Sequence, residues 1–221
     1  MNQRKAFIFD MDGVIIDSEP LHSRVKMETF AHFGLPFDEG DLAQYMGRTS
    51  VDIFSDVLKK EHRTDVSVQE IVNYKHAHYL ELAVGGALEA IPGSLELIAR
   101  LRAAGVPLAL ATSSWRRVVD AILVQFDLTE AFASVISGSE LPKSKPDPAI
   151  YRLSAEALGV DPRKCVVLED TAAGVAAAKG AGMYCIGFRS PHSGVQDLSR
   201  ADEIVDDLAT IDVAKLFTKH Q

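Results

Sequence analysis

Hydrophobic positions along the chain alternate between two patterns. Short runs that are apolar on both faces occur at Ala6–Phe9, Val106–Ala111, Val135–Ser137, Cys165–Leu168 and Tyr184–Phe188. Runs of this kind predict strands buried on both sides, as in a parallel sheet covered by helices. Between them, apolar residues recur at helical spacing. Leu95, Ile98 and Leu101 lead to Gly105; Val118, Val119, Ile122, Leu123 and Phe126 make a second stripe; Ile150, Leu153, Ala157 and Leu158 lead to Gly159. A glycine just past an apolar stripe supplies the left-handed stop that a helix end favours. Strand–helix alternation predicts a Rossmann-like, doubly wound α/β sheet.

From about Ser18 to Leu88 the alternation stops, and only helical patterns remain. Leu21, Val25, Phe30 and Phe33 form a stripe ending at Gly34, and Val51, Phe54, Val57 and Leu58 form another. Ser67 and Glu70 stand as a capping box ahead of Ile71, Val72 and Tyr79. Gly85-Gly86 and Pro92-Gly93 punctuate the return to strands. The expected organisation is therefore an α/β core over 1–16 and 89–221, interrupted by an all-α insertion over 17–88.

Composition narrows the function classes. The chain has 221 residues, is 47% hydrophobic and carries a formal net charge of −8. That charge argues against a broad nucleic-acid face, which needs a basic surface. It leaves room for one small anion in a locally positive pocket. No apolar run reaches the length of a membrane span, and the N-terminus enters a core-like strand without a leader pattern. The two cysteines, Cys165 and Cys185, lie inside apolar segments and read as buried free thiols. A cytoplasmic enzyme is expected.

Ligands of a parallel sheet bind beyond the carboxyl ends of its strands. Those ends carry complementary groups. Asp10 and Asp12 follow the first run, Thr112, Ser113 and Ser114 the second, and Lys143, Lys145 and Asp147 lie after the third. Glu169, Asp170 and Thr171 lie at the end of the fourth. Carboxylates converging from two strand ends repel one another unless a cation joins them. A hard-oxygen set of this kind suits Mg²⁺ together with phosphate oxygens. Hydroxyls and a lysine opposite can hold the remaining oxygens, and a carboxylate aimed at phosphorus can act as a nucleophile. Taken alone, the hydroxyls also fit the N-cap of the helix that starts near Trp115, and Asp170 fits an N-cap as well as a metal ligand.

DMDGVIIDSE at 10–19, ATSS at 111–114, KSKPDP at 143–148 and VVLEDTAAGVAAAKGAG at 166–182 resemble, in order, the four motifs of the haloacid dehalogenase superfamily. The helical insertion after the first motif resembles the cap of the subgroup that holds β-phosphoglucomutase and many sugar-phosphate phosphatases. The resemblance implies Asp10 as nucleophile and Asp12 as general acid and then base, with the Asp12 backbone carbonyl also on the metal. It implies Thr112, Ser113 and Lys145 on the transferring phosphoryl group, with Ser114 beside them. Asp170 becomes the main further metal ligand, helped by Glu169 directly or through water. In the cap, the resemblance places His22 where the subgroup often has a histidine contacting the acid/base aspartate, Arg48 in a loop that faces the active site in relatives, and Lys75 at a substrate-contact position, so all three are expected in substrate binding.

Three functions follow. The first is a Mg²⁺-dependent phosphatase acting on a small phosphorylated metabolite, working as a monomer without nucleic-acid or membrane partners. The second is a β-phosphoglucomutase-type mutase using the same aspartyl-phosphate. The third is a non-catalytic phosphometabolite-binding protein, for which a nucleophile with its own proton donor has no use. A mutase needs a cation for the second phosphate of a bisphosphate. By resemblance that arginine falls, in an ungapped reading from Gly47, at the uncharged Ser50. Arg48 and Lys75 are the remaining cations nearby, so the mutase stays the alternative.

Overall fold

The computed structural model describes residues 4–38, 40–41 and 50–217. Arg48 lies outside them. The chain divides into two compact units, one of Met1–Ser18 with Leu88–Gln221 and the other of Glu19–Ala87.

The first unit is built on a six-stranded sheet. Its strands are β1 (Ala6–Phe9), β4 (Leu108–Thr112), β5 (Ser134–Ser137), β6 (Cys165–Glu169), β7 (Tyr184–Phe188) and β8 (Glu203–Val205). They lie in the order β5-β4-β1-β6-β7-β8, and all neighbours are parallel. Helices α4 (Ser94–Ala103), α5 (Arg116–Gln125), α6 (Ala149–Ala157) and α7 (Ala172–Gly180) form the connections, and α8 (Val213–Phe217) closes the chain. Every residue of β1, β4 and β6 is buried, which is why these runs lack polar alternation. Successive side chains still point to opposite faces. Ala6 and Ile8 join Ala109, Ala111, Cys165 and Val167 in a core with Tyr151, Val175 and Ala178 from α6 and α7. Phe7 and Phe9 turn the other way, with ring centroids 4.7 Å apart, and Phe9 meets Phe132 edge-on. Both free thiols are buried in this sheet, where burial raises Cys165 to about 11 and Cys185 to about 12.

The doubly wound expectation holds, and five strands fall on the five apolar runs. Gly105 and Gly159 take φ of 70° and 64° where the helical stripes end. Three short strands escaped the pattern. β2 (Ile16–Asp17) and β3 (Glu89–Ala90) pair antiparallel, so the chain leaving the sheet is tied to the chain returning to it. β8 is an edge strand with two exposed residues, Glu203 and Ile204, and offers no apolar run to read.

The second unit is helical: α1 (Glu19–His32), α2 (Ser50–Lys60) and α3 (Val68–Val84). It has its own core of Phe30, Leu35, Ile53, Phe54, Val57, Leu58, Ile71 and Val72. The capping box forms as its spacing predicts. Ser67 accepts from the Glu70 amide, and the Glu70 carboxylate accepts from the Ser67 amide. Among the described residues no helix is long and apolar enough to cross a membrane.

Candidate active site

Register brings the site together. Phe9 lies level with Leu110 on one side and Leu168 on the other, so the next residues, Asp10, Ala111 and Glu169, form one row across three strand ends. The Asp10 amide donates to Leu168 O at 3.0 Å and holds the strand line to its last residue. The chain steps from β1 out through β4 to β5, then crosses back to β6 on the other side of β1. Loops at such a reversal open a crevice at the carboxyl edge of a sheet.

Lys145 fills the middle of that row. Its ammonium donates to Asp10 Oδ1 at 2.6 Å, Glu169 Oε1 at 2.6 Å and Ala111 O at 3.1 Å. All three donors of a lysine are thereby used. Burial alone would push Lys145 down, but the charges of Asp10 and Glu169 and their hydrogen bonds hold it above its ordinary value.

Glu169 is fully buried and fully engaged. Oε1 also accepts from the Tyr151 hydroxyl at 2.6 Å, while Oε2 accepts from the Asp170 amide, the Thr171 amide and the Thr171 hydroxyl at 3.1–3.2 Å. Burial pushes its carboxyl up, yet the Lys145 charge and these donors hold it below the usual range. Asp10 goes the other way. Burial raises it well above the carboxylate range against the pull of Lys145, and Glu169, Asp170 and Asp12 add to the rise. Asp170 is raised to about 7, chiefly by burial.

Asp10, Glu169 and Asp170 each offer an oxygen within 4.8 Å of the others. One lysine cannot neutralise three carboxylates. Asp170 Oδ1 is buried and has no hydrogen-bond partner among the described residues. An excess of negative charge and an orphaned buried oxygen are what a divalent cation relieves, so this donor set fits Mg²⁺.

Asp12 follows two residues after Asp10. Its Oδ2 accepts from the Ser114 hydroxyl at 2.5 Å and the Thr112 hydroxyl at 3.2 Å, while its Oδ1 is buried without a partner among the described residues. Thr112 Oγ1 in turn accepts from the Ser114 amide. Ser113 is exposed at the loop tip. None of the three hydroxyls caps the following helix; its N-cap is Trp115, without a side-chain bond. The cap of α7 is Thr171 and not Asp170. Neither Asp12 with its hydroxyls nor Asp170 is therefore tied up as a helix cap.

In the helical unit, His22 stacks on Tyr79 with ring centroids 4.1 Å apart. Lys75 is buried, and burial together with the nearby Lys26 charge lowers it.

Several contributors were not legible in the sequence. Tyr151, fully buried, steadies Glu169; Ser137 donates to Ser114 O at 2.6 Å and supports the hydroxyl loop; Ser193 donates to Asp170 Oδ2. Tyr151 had one readable signal, a phenol on an otherwise apolar helix face that needs a partner. Ser193 had none.

A parallel sheet with buried carboxylates and a lysine meeting at its carboxyl edge defines an α/β protein with a charged site at its strand ends. The family model described as haloacid dehalogenase-like hydrolase matches residues 7–188, and the chain belongs to that family. It is 35% identical to hexitol phosphatase B of Escherichia coli (strain K12), covering 85% of each chain. It is 29% identical to validoxylamine A 7′-phosphate phosphatase of Streptomyces hygroscopicus subsp. limoneus, covering 94% of this chain and 95% of that one. Among solved structures it is similar to CbbY of Rhodobacter sphaeroides, a mutant in complex with xylulose-(1,5)bisphosphate. The TM-score is 0.74 and the identity 30%, covering 94% of this chain and 96% of that one.

Proposed function

We propose that this protein is a Mg²⁺-dependent phosphatase that hydrolyses a small phosphorylated sugar through an aspartyl-phosphate on Asp10. The observation that carries the reading is the cluster of Asp10, Glu169 and Asp170, with Lys145 donating to the first two. The relatives named hexitol phosphatase B and validoxylamine A 7′-phosphate phosphatase support the substrate class.

The metal's donors are Asp10 and Asp170, with the Asp12 carbonyl as the family resemblance implies. Glu169, whose oxygens already accept five hydrogen bonds, acts by orienting Lys145. When bound, Mg²⁺ supplies charge neutralisation for the phosphoryl oxygens and for the carboxylates that face them. A carboxylate oxygen of Asp10 attacks phosphorus; the new O–P bond forms as the ester P–O bond breaks. Asp12 gives its proton to the departing alcohol oxygen. Asp12 then takes a proton from water, whose oxygen attacks phosphorus, releasing phosphate and restoring the Asp10 carboxylate. Lys145, Thr112, Ser113 and Ser114 hold the phosphoryl oxygens, Lys145 by exchanging its bond to Asp10, and Thr112 and Ser114 by exchanging their bonds to Asp12, for bonds to the substrate. His22, Lys75 and Arg48 are the residues of the helical insertion assigned to the sugar. Ser50, where a bisphosphate-binding arginine would stand, carries no charge, which favours hydrolysis over a mutase reaction. The buried free thiols suit a reducing cytoplasm.

The test is phosphate release from p-nitrophenyl phosphate and a panel of sugar phosphates, with Mg²⁺ and with excess chelator. Activity is expected only with the metal, and Asp10→Asn is expected to abolish turnover while circular dichroism stays unchanged. Full activity in chelator, or in Asp10→Asn, would sink the mechanism.

A further inference from the structure

The loop after β7 reaches back to the carboxylate row. Ser193, half-buried, donates its hydroxyl to Asp170 Oδ2, while the other oxygen of that carboxylate, Oδ1, has no partner among the described residues. The same Oδ2 lies against Gly13. A Cβ built on Gly13 would sit 2.0 Å from Asp170 Oδ2 and 2.7 Å from Ser193 Oγ, and its φ of 71° itself favours glycine. The Asp170 carboxylate is thus clamped between the glycine of the first loop and the serine of the last, with one oxygen bound and one left over.

The loop that brings Ser193 there is tied down on both sides. His192 Nδ1 lies 2.5 Å from Asp17 Oδ2 in β2. Gln196 donates to Ser193 O at 3.0 Å and accepts from the amide of Ala172, the first residue of α7, at 3.2 Å. Ser193 is therefore anchored to the strand that follows the first loop and to the helix that follows Asp170.

We propose that Ser193 is a positioning residue for the metal site: it holds Asp170 so that a single oxygen, Oδ1, faces the ion. Mg²⁺ demands close octahedral geometry and prefers one oxygen per carboxylate in such a site. A carboxylate free to rotate could present both oxygens or neither. Partners of metal ligands that fix their orientation typically change metal affinity by about 10–100-fold when removed. The inference rests on the assignment of Asp170 as a ligand, and the experiment separates the two.

Binding of Mn²⁺ alone, followed by the electron paramagnetic resonance signal of the free ion, is to be measured for the wild type, Ser193→Ala, Ser193→Thr and Asp170→Asn, with Mg²⁺ as competitor. Ser193→Ala is expected to weaken Mn²⁺ binding by about 10-fold, with Ser193→Thr recovering most of the loss because it restores the hydroxyl. The loss of turnover in Ser193→Ala should be smaller at saturating than at limiting Mg²⁺, as a change in metal affinity requires. Wild-type Mn²⁺ affinity in Ser193→Ala, alongside weakened binding in Asp170→Asn, would overturn the role of Ser193 alone. Undiminished binding in Asp170→Asn would overturn the ligand assignment and this inference with it.

Discussion

Lys145 has three ammonium hydrogens, and each is taken, by Asp10, Glu169 and Ala111. No donor remains for Asp170, and burial raises both Asp170 and, against the pull of the lysine, Asp10. Asp12 is treated differently, with hydroxyls from Ser114 and Thr112 on one oxygen and no partner among the described residues on the other. A carboxyl held by hydroxyl donors on one oxygen, with the other left over, is placed for proton transfer. Asp12→Ala is therefore expected to lower kcat on an alkyl phosphate by about 10²–10⁴-fold, the usual range for removing a general acid or base. The loss should be smaller in the phosphorylation step with p-nitrophenyl phosphate, whose leaving group needs no proton. Single-turnover rates on the two substrates make the comparison, and equal losses in that step would count against the acid role.

At the scale of elements, helix α7 is pressed directly onto the Glu169 side chain. A Cβ on Gly174 would lie 1.8 Å from both Cδ and Oε1 of Glu169. Gly174 also donates its amide to the Thr171 cap at 3.0 Å. In an ordinary helix, glycine to alanine is stabilising by up to about 1 kcal/mol. Here the sign is expected to reverse. Gly174→Ala should cost about 1–3 kcal/mol, as overpacking of a tight site does, and should reduce activity by moving the carboxylate that orients Lys145. Thermal denaturation checks the first part and kcat the second. A raised melting temperature would show that helix and carboxylate are not packed as described.

For the whole molecule, the carboxylate row makes stability depend on pH in a defined direction. Asp170 rises from its ordinary 3.8 to about 7 on folding, and Asp10 also rises. Between those values the folded protein holds more protons than the unfolded chain, so stability falls as pH increases through the window. Without metal, the melting temperature should drop between about pH 4 and pH 7 more steeply in the wild type than in Asp170→Asn. If the proposed Mg²⁺ site holds, the ion should restore the loss by mass action, because it would bind the ionised carboxylates of the folded state. Parallel pH profiles for the two proteins in chelator would refute the electrostatic account.

The order of buried runs and helical stripes was sufficient for the doubly wound sheet, because a strand covered on both faces must be apolar at every position, as β1, β4 and β6 are. The same logic located Asp10, Thr112 and Asp170, since polar residues directly after such runs have nowhere to go but the carboxyl edge. It was blind to β8, whose exposed edge needs no apolar run, and to the β2–β3 ribbon, whose two-residue strands are too short for any period to show. What the chain alone determined were the residues dictated by local burial and by spacing along one element. What only the tertiary structure decided were contacts between distant segments: Lys145 on Asp10 across 135 positions, Tyr151 on Glu169 across 18, and Ser193 on Asp170 across 23. The physical reason is that a hydrogen bond requires a distance and an angle. Strand register and loop closure supply both only after the sheet has assembled, and a serine or a tyrosine reads the same in sequence whether or not a carboxylate ends up beside it.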